Sequence, residues 1–597
     1  MKNGCTLRNR TLRAFALGLL FMCSILLVGC GNSTTTNPLI VKTTTKSDNT
    51  TIPISTKPVE KEDIAKEFAT DALYDGGDVE VSKVVWNKDD NVTYLEVEGK
   101  PFLYVGTQIR LDALRNCDKY DFDYIEKIFL SAKELGVTSL QIPLEWADLE
   151  VEEDEWVFDE LDNILYLALK CDIKIELLWF GTNMCGESHS YSIPDYILRD
   201  GIKYTKLNAS RIGEFWNYYG IMWYMDFSDD DLIERETNAI KVVMDYIYNW
   251  DSTHGAHKPV IGIQVLNETD IFMRWRNISR QVTLPNGNSI PTEDAWDMVC
   301  KSLDALGKEV KKSKYKVYTR TNFASLLGSD EIGSQTKIFD GNALGYLPDW
   351  VERIYNLEGI DIVGDDIYSS VVKNCSGMVR LLKDKLPGNF GHLPENAGDY
   401  SNQAYIVLAT VASGGGMSIY DYLTSPFYIR HRTSDGVDQG ITYIDENTME
   451  IVKRQQYDET KKIINALRNC GYYPSTVSEN DFAVFNLKGN NPESSINQTV
   501  QTTKVRFTYS TSEKSYGFSI TTDEYALIYS SGKATIELSN ITSSSIEKGY
   551  YDSENNWVKT GDVELSNTIS LDGESIYRVK IDNISSVLTS TTMDNLG

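Results

Sequence analysis

From residue 102 to about 469, short apolar runs rich in β-branched residues alternate with longer stretches that are apolar at helical spacing. The runs at 102–108, 137–143, 173–179, 260–265, 316–321, 360–365, 388–393 and 416–420 have the pattern of strands buried on both faces. Between them, 121–135, 158–171, 232–250 and 295–312 repeat apolar residues every three or four positions, and further helices fill the remaining gaps. Strand and helix alternating eight times predicts a closed parallel barrel of the (β/α)8, or TIM, class over 100–472. The rhythm differs at either end. Residues 79–97 alternate around Lys88-Asp89-Asp90-Asn91, which predicts a β-hairpin lead-in within 63–99. After 473 come short alternating runs, such as 482–487, 504–509, 525–529, 535–538 and 577–581, punctuated by Ser, Thr, Asn and Gly. They predict an antiparallel β-sandwich over 473–597, either a buttress for the barrel or a carbohydrate-binding module.

Polar residues that end such strands project into the mouth at the carboxyl end of the barrel. The fourth run, Val260-Ile261-Gly262-Ile263-Gln264-Val265-Leu266, ends in Asn267-Glu268. A carboxyl half shielded from water there can donate a proton near neutral pH, so Glu268 is a candidate general acid. The plainer alternative is an N-cap followed by a first-turn carboxylate. The seventh strand leads into Pro394-Glu395, which puts Glu395 at a carboxyl end as well. Strands four and seven lie three steps apart around the ring. Their ends can hold two carboxyls roughly 5–5.5 Å apart, the spacing of a retaining glycosidase. A loop salt bridge is the alternative for Glu395. The long segment at 181–230 lies on a strand-to-helix loop and is expected to roof the mouth.

Composition narrows the partners. The 597 residues carry a formal charge of −28, with 41% hydrophobic and 11% aromatic residues. That balance argues against nucleic acid and suits neutral ligands. The five His and nine Cys show no metal spacing, so neither metal nor cofactor is expected. Six Cys lie past residue 100 and read as buried free thiols, with one disulfide possible. Residues 1–29 read as an export signal, with Lys2, Arg8, Arg10 and Arg13 ahead of an apolar core at 14–28. The signal ends Leu27-Val28-Gly29-Cys30, which resembles a bacterial lipobox. That implies lipidation of Cys30 and a protein held at the membrane surface. The Ser/Thr-rich stretch 30–62 reads as a disordered tether.

Glutamates after strands four and seven, the first preceded by Asn, resemble clan A of the glycoside hydrolases. Ile263-Gln264-Val265-Leu266-Asn267-Glu268 is similar to the Gln-Val-x-Asn-Glu of family 35 β-galactosidases, with Leu266 where that family usually has Glu. Pro143-Leu144-Glu145-Trp146-Ala147-Asp148-Leu149-Glu150, with Trp156-Val157-Phe158-Asp159 beyond it, resembles family 42 β-galactosidases. The resemblance implies an exo-acting retaining β-galactosidase-like enzyme. In it Glu268 is the acid/base, Glu395 the nucleophile, and Asn267 binds the sugar 2-hydroxyl. Tyr368 would hold Glu395. Arg110, Glu145, Trp179, Asp366 and Tyr420 would line the sugar pocket, although Asp366 suits a cap or the core, Glu145 a salt bridge and Trp179 the core equally well. The setting of Glu395 is neither family's usual one. The rivals are a sugar-binding surface lipoprotein without turnover and a clan A hydrolase acting on mannan or glucan.

Overall fold

The computed structural model describes residues 70–584, apart from 186–191, 201–202, 205–216, 219–220, 224, 271–280, 284–288, 324–329, 332–333, 336–346, 348, 425, 427–438 and 490–493. The expected export signal, the candidate lipidation site Cys30 and the expected tether lie outside the described residues. Among the described residues no helix is long and apolar enough to cross a membrane.

Eight parallel strands close into one barrel. They are β1 (Val105–Gln108), β2 (Ser139–Glu145), β3 (Lys174–Phe180), β4 (Val260–Val265), β5 (Tyr318–Phe323), β6 (Ile362–Asp365), β7 (Gly391–Ala397) and β8 (Gly415–Tyr420). Each neighbours the next in the chain, and β8 closes on β1. The helices that follow them are α1 (Phe122–Leu135), α2 (Asp159–Lys170), α3 (Asp230–Thr253), α4 (Thr292–Lys312), α5 (Asp349–Tyr355), α6 (Val372–Lys385), α7 (Gln403–Ala412) and α8 (Tyr457–Arg468). This is the (β/α)8 barrel that the alternation predicts.

Helix α1 shows how local sequence sets an element. Its N-cap Asp121 accepts a hydrogen bond from the Tyr124 amide, and Gly136 ends it at φ 97°. The cap is worth about 1 kcal/mol, and a left-handed C-terminal residue favours glycine. Tyr124, Ile125, Ile128, Phe129, Ala132 and Leu135, at spacings of three and four, form the buried face.

The barrel interior holds a polar layer among its apolar ones. Arg320 of β5 and Glu176 of β3 form an ion pair with both side chains fully buried. The Tyr104 hydroxyl also donates to Glu176, and Gln141 of β2 donates to Glu176 and to the Tyr104 hydroxyl, both at 3.2 Å. Beside this layer β4 carries Gly262, where a Cβ would lie 2.3 Å from the Tyr318 ring. Any larger residue there would push the ring out of the interior.

The lead-in is a three-stranded sheet, Ser82–Asn87, Val92–Val97 and Lys100–Phe102. The Ser82 hydroxyl donates to the Ile261 carbonyl and accepts from the Tyr318 amide at 3.0 Å. The sheet therefore braces the amino ends of β4 and β5, opposite the mouth.

The C-terminal region is two antiparallel sheets, one of six strands and one of four. The first strand of the larger sheet, Phe482–Leu487, shows why they stack. Ala483, Phe485 and Leu487 join the core between the sheets, while Phe482 and Val484 join the barrel core. Alternation in a strand thus gives this sheet two apolar faces. All ten residues of α7 are buried beneath it, and Tyr405 stacks on Tyr516 at 5.5 Å.

Much of the 181–230 segment falls outside the described residues, and with it the expectation of a roof. Its described parts include a small antiparallel sheet that pairs Asn183–Cys185 with Ile221–Trp223. Cys171, Cys300, Cys375 and Cys470 are free and buried.

Candidate active site

Three carboxyl groups meet at the carboxyl ends of the strands. One oxygen each from Glu268, Asp366 and Glu395 lies within 4.8 Å of the other two. Glu268 follows β4, Asp366 follows β6, and Glu395 lies on β7. Asp366 is fully buried, Glu395 is 8% exposed, and Glu268 is partly exposed.

Glu268 is presented by a tight turn. Leu266 and Glu268 both have positive φ, 58° and 45°, although neither is glycine. Such residues cost about 1–3 kcal/mol each and persist where their surroundings hold them. Here the holder is Asn322, at the end of β5. Its Oδ1 accepts from the Glu268 amide at 3.3 Å. Its Nδ2 donates to Asn267 Oδ1 at 2.9 Å and to Asp366 Oδ2. Gln264 Nε2 donates to the same Asn267 oxygen at 2.7 Å. Both acceptor positions on Asn267 Oδ1 are then used, which fixes the orientation of the amide.

Glu395 is aimed by a β-bulge. Leu393 pairs with Met417 and Asn396 with Ile419, so β7 carries one more residue than β8 between those points. Pro394 has no N–H to give the ladder, which suits a bulge. The irregularity turns Glu395 into the mouth. The Tyr368 hydroxyl donates to Glu395 Oε2. Arg110 lies on the same side, its guanidinium bound through two nitrogens to Asp112 and 3.5 Å from the Tyr420 hydroxyl. Tyr420 meets the Tyr368 ring edge-on at 5.7 Å.

Burial raises the pKa of the Glu395 carboxyl, while the Tyr368 hydrogen bond and the charges of Arg110 and Arg320 oppose the rise. Asp366 is pushed well above the usual carboxylate range, first by burial and then by the charges of Glu395, Glu268 and Asp365. Three carboxyls this close cannot all be ionised at little cost, so they share protons as a unit. The three oxygens are also close enough together to bind a cation.

The structure thus brings Glu268, Glu395, Asn267, Asp366, Tyr368, Tyr420 and Arg110 to one mouth. Glu145 is buried at the end of β2, where Oε1 accepts from the Ser192 hydroxyl at 3.1 Å. Trp179 does not reach the mouth. Glu176 points into the barrel, so Trp179, three residues on, points out. Its indole packs towards Trp146, 6.4 Å between centroids, and donates to Glu236 of α3 at 2.9 Å. That places Trp179 in the layer between strands and helices rather than in a sugar pocket. The apolar pattern of β5 does not by itself single out Asn322. Its signal is the inward run Tyr318, Arg320, Asn322, polar at every second residue in a strand otherwise read as apolar.

Residues 298–492 match the model of a domain of unknown function, DUF4978. The match runs from α4 to just past the first sandwich strand and includes Asp366 and Glu395 but not Glu268. No curated protein sequence matches the chain. Among solved structures, an exo-β-1,4-mannosidase from Opitutaceae bacterium strain TAV5 is similar at 13% identity and a TM-score of 0.41, over 64% of this chain and 62% of that one. A GH1 β-glucosidase from Exiguobacterium antarcticum B7 is similar at 12% identity and a TM-score of 0.39, over 61% and 98%. A β-galactosidase from the haloarchaeon Halorubrum lacusprofundi is similar at 11% identity and a TM-score of 0.40, over 62% and 58%. The chain spans less than two thirds of that mannosidase. These structural neighbours are glycosidases by name. Likenesses of this size add nothing to the barrel assignment, which rests on the closed strand order.

Proposed function

We propose that this protein is a retaining glycoside hydrolase acting on β-linked sugars, with a β-galactoside as its first candidate substrate. The observation that carries the proposal is the pairing of Glu268 and Glu395 across one barrel mouth, with carboxyl oxygens within 4.8 Å. Retaining enzymes hold their carboxyls about 5–5.5 Å apart, and inverting ones need roughly 6.5–9.5 Å to seat a water between them.

The roles follow from the surroundings. Tyr368 occupies Oε2 of Glu395, so Oε1 is the oxygen left to attack the anomeric carbon. Glu268, the more exposed of the pair, gives its proton to the glycosidic oxygen as the C–O bond breaks. The sugar is then bonded to Glu395 Oε1 and the aglycone leaves as an alcohol. Water attacks the same carbon, returns its proton to Glu268 and frees Glu395. Asn267 Nδ2, oriented by Gln264 and Asn322, donates to a sugar hydroxyl beside the anomeric centre. No metal or redox cofactor enters these steps. We place the protein at the membrane surface through a lipid on Cys30; this part rests on the sequence of the export signal alone.

The test is a panel of nitrophenyl β-glycosides, with the first-formed anomer of the product read by NMR. Hydrolysis with net retention, fastest on the galactoside, is the expected result. Net inversion would overturn the double displacement, and a faster glucoside or mannoside would reassign the sugar. Binding without turnover of any substrate would favour a sugar-binding protein instead.

A further inference from the structure

Asp366 is the third acid of the cluster, and the steps above give it no role. It is fully buried, and its oxygen lies within 4.8 Å of both other carboxyls. Among the described residues the charged groups around it can be named. Glu268 faces it from the end of β4, Glu395 from β7, and Asp365 precedes it on β6. The nearest cations among the described residues are paired with other acids. Arg320 of β5 pairs with Glu176, and Arg110 pairs with Asp112. Among the described residues no cation forms an ion pair with Asp366. Its Oδ2 accepts from Asn322, and its buried Oδ1 has no hydrogen-bond partner among the described residues.

We propose that Asp366 is a positioning residue that keeps its own proton through turnover, so that the cluster carries one negative charge, on Glu395, before substrate reacts. The proton sits on Oδ1, since Oδ2 is already an acceptor. Two consequences follow. Glu268 titrates against one neighbouring charge instead of two, so its working range is set by Glu395. Asn322, through one amide, also fixes the height of Asp366 against the Asn267–Glu268 turn. Burial, and next the charge of Glu395, raise the pKa of Asp366, in agreement with this reading. The inference rests on the glycosidase proposal for its kinetic meaning, but not for its protonation state.

The test is Asp366→Asn, which keeps shape and neutral charge. If Asp366 is neutral, the alkaline limb of the kcat/KM pH profile stays within about 0.3 units of wild type, whatever the change in its height. If Asp366 is ionised, the amide removes a charge beside Glu268, and that limb falls by about one unit or more, which would overturn the proposal. Asp366→Ala is the structural contrast: it drops the Asn322 contact and is expected to lower kcat more than it raises KM. A second readout needs no substrate. Infrared difference spectra at neutral pH should show a protonated-carboxyl band that Asp366→Asn removes and that Asp421→Asn, at another buried acid pushed up by burial, leaves in place. No such difference would overturn the proposal. Should the amide variant not fold, wild-type protein labelled with 13C at aspartate carboxyls gives the same answer, compared with Asp421→Asn. One neutral aspartate must remain in the variant, and none remaining overturns the idea. Inactivity on every glycoside with the infrared band present would sink the function proposal and leave this one standing.

Discussion

The Tyr368 hydroxyl donates a hydrogen bond to Oε2 of Glu395. That bond favours the ionised carboxyl, against the burial that raises its pKa. Tyr368→Phe should therefore raise the pKa of Glu395 and move the acid limb of kcat/KM to higher pH. Turnover near neutrality should fall about 10- to 100-fold as the attacking oxygen loses its orientation. A full pH–rate profile checks both. An unmoved acid limb would separate Tyr368 from the ionisation of Glu395.

Asn322 ties three strand ends together, and its removal should be felt as lost orientation rather than lost binding. Asn322→Ala is expected to lower kcat by about 10- to 100-fold with little change in KM. The measurement is steady-state kinetics on the best substrate of the panel.

Glu236 of α3 is buried against Trp179 and Thr182, and burial pushes its carboxyl up to about 7. A carboxyl raised in the folded state binds its proton more tightly there than in the unfolded chain. Stability from this group is thus complete below the unfolded value of 4.5 and declines as pH rises towards about 7. The loss across that window is about 3 kcal/mol at most. Urea unfolding of Glu236→Gln between those pH values should show a flatter dependence than wild type.

The buried pair of Arg320 and Glu176 gives the sharpest stability prediction. Arg320→Met leaves Glu176 charged and uncompensated in the barrel, at a cost of about 3–5 kcal/mol. Replacing both together by apolar residues of similar volume should recover much of that loss. Thermal unfolding of the two single variants and the double variant measures it.

The three carboxyl oxygens have a cation-like spacing, yet the mechanism needs one of them protonated and one nucleophilic. Dialysis against a chelator should leave kcat/KM unchanged. A loss restored by a divalent cation would assign the cluster to metal.

The barrel was legible because its strands are apolar on both faces and its helices are periodic. That pattern survives without knowing any contact. The carboxyl ends of β4 and β7 could be read for the same reason. Other parts depend on information that pattern does not carry. The apolar run of β7 ends at Leu393, before a proline that cannot donate to a ladder. The bulge takes up the missing N–H, and the strand runs on to Ala397. The sequence leaves Trp179 open between the sugar pocket and the core; one position of strand parity decides inside from outside, and only the neighbours of Glu176 fix it. Asn322 and the Arg320–Glu176 layer are not legible in the pattern, because polar residues in a barrel strand read as breaks in it rather than as partners across the interior. Asp366 was visible as a strand-end acid, while its place between two other carboxyls needed three strands to be set in space.

Azide rescue tests the assignment of the two glutamates most directly. Glu395→Gly should cut turnover by several orders of magnitude, and added azide should restore it with formation of the glycosyl azide of inverted configuration. Glu268→Gly with an activated substrate should instead give the azide of retained configuration. A retained azide from the Glu395 variant, or full activity without rescue, would contradict the account.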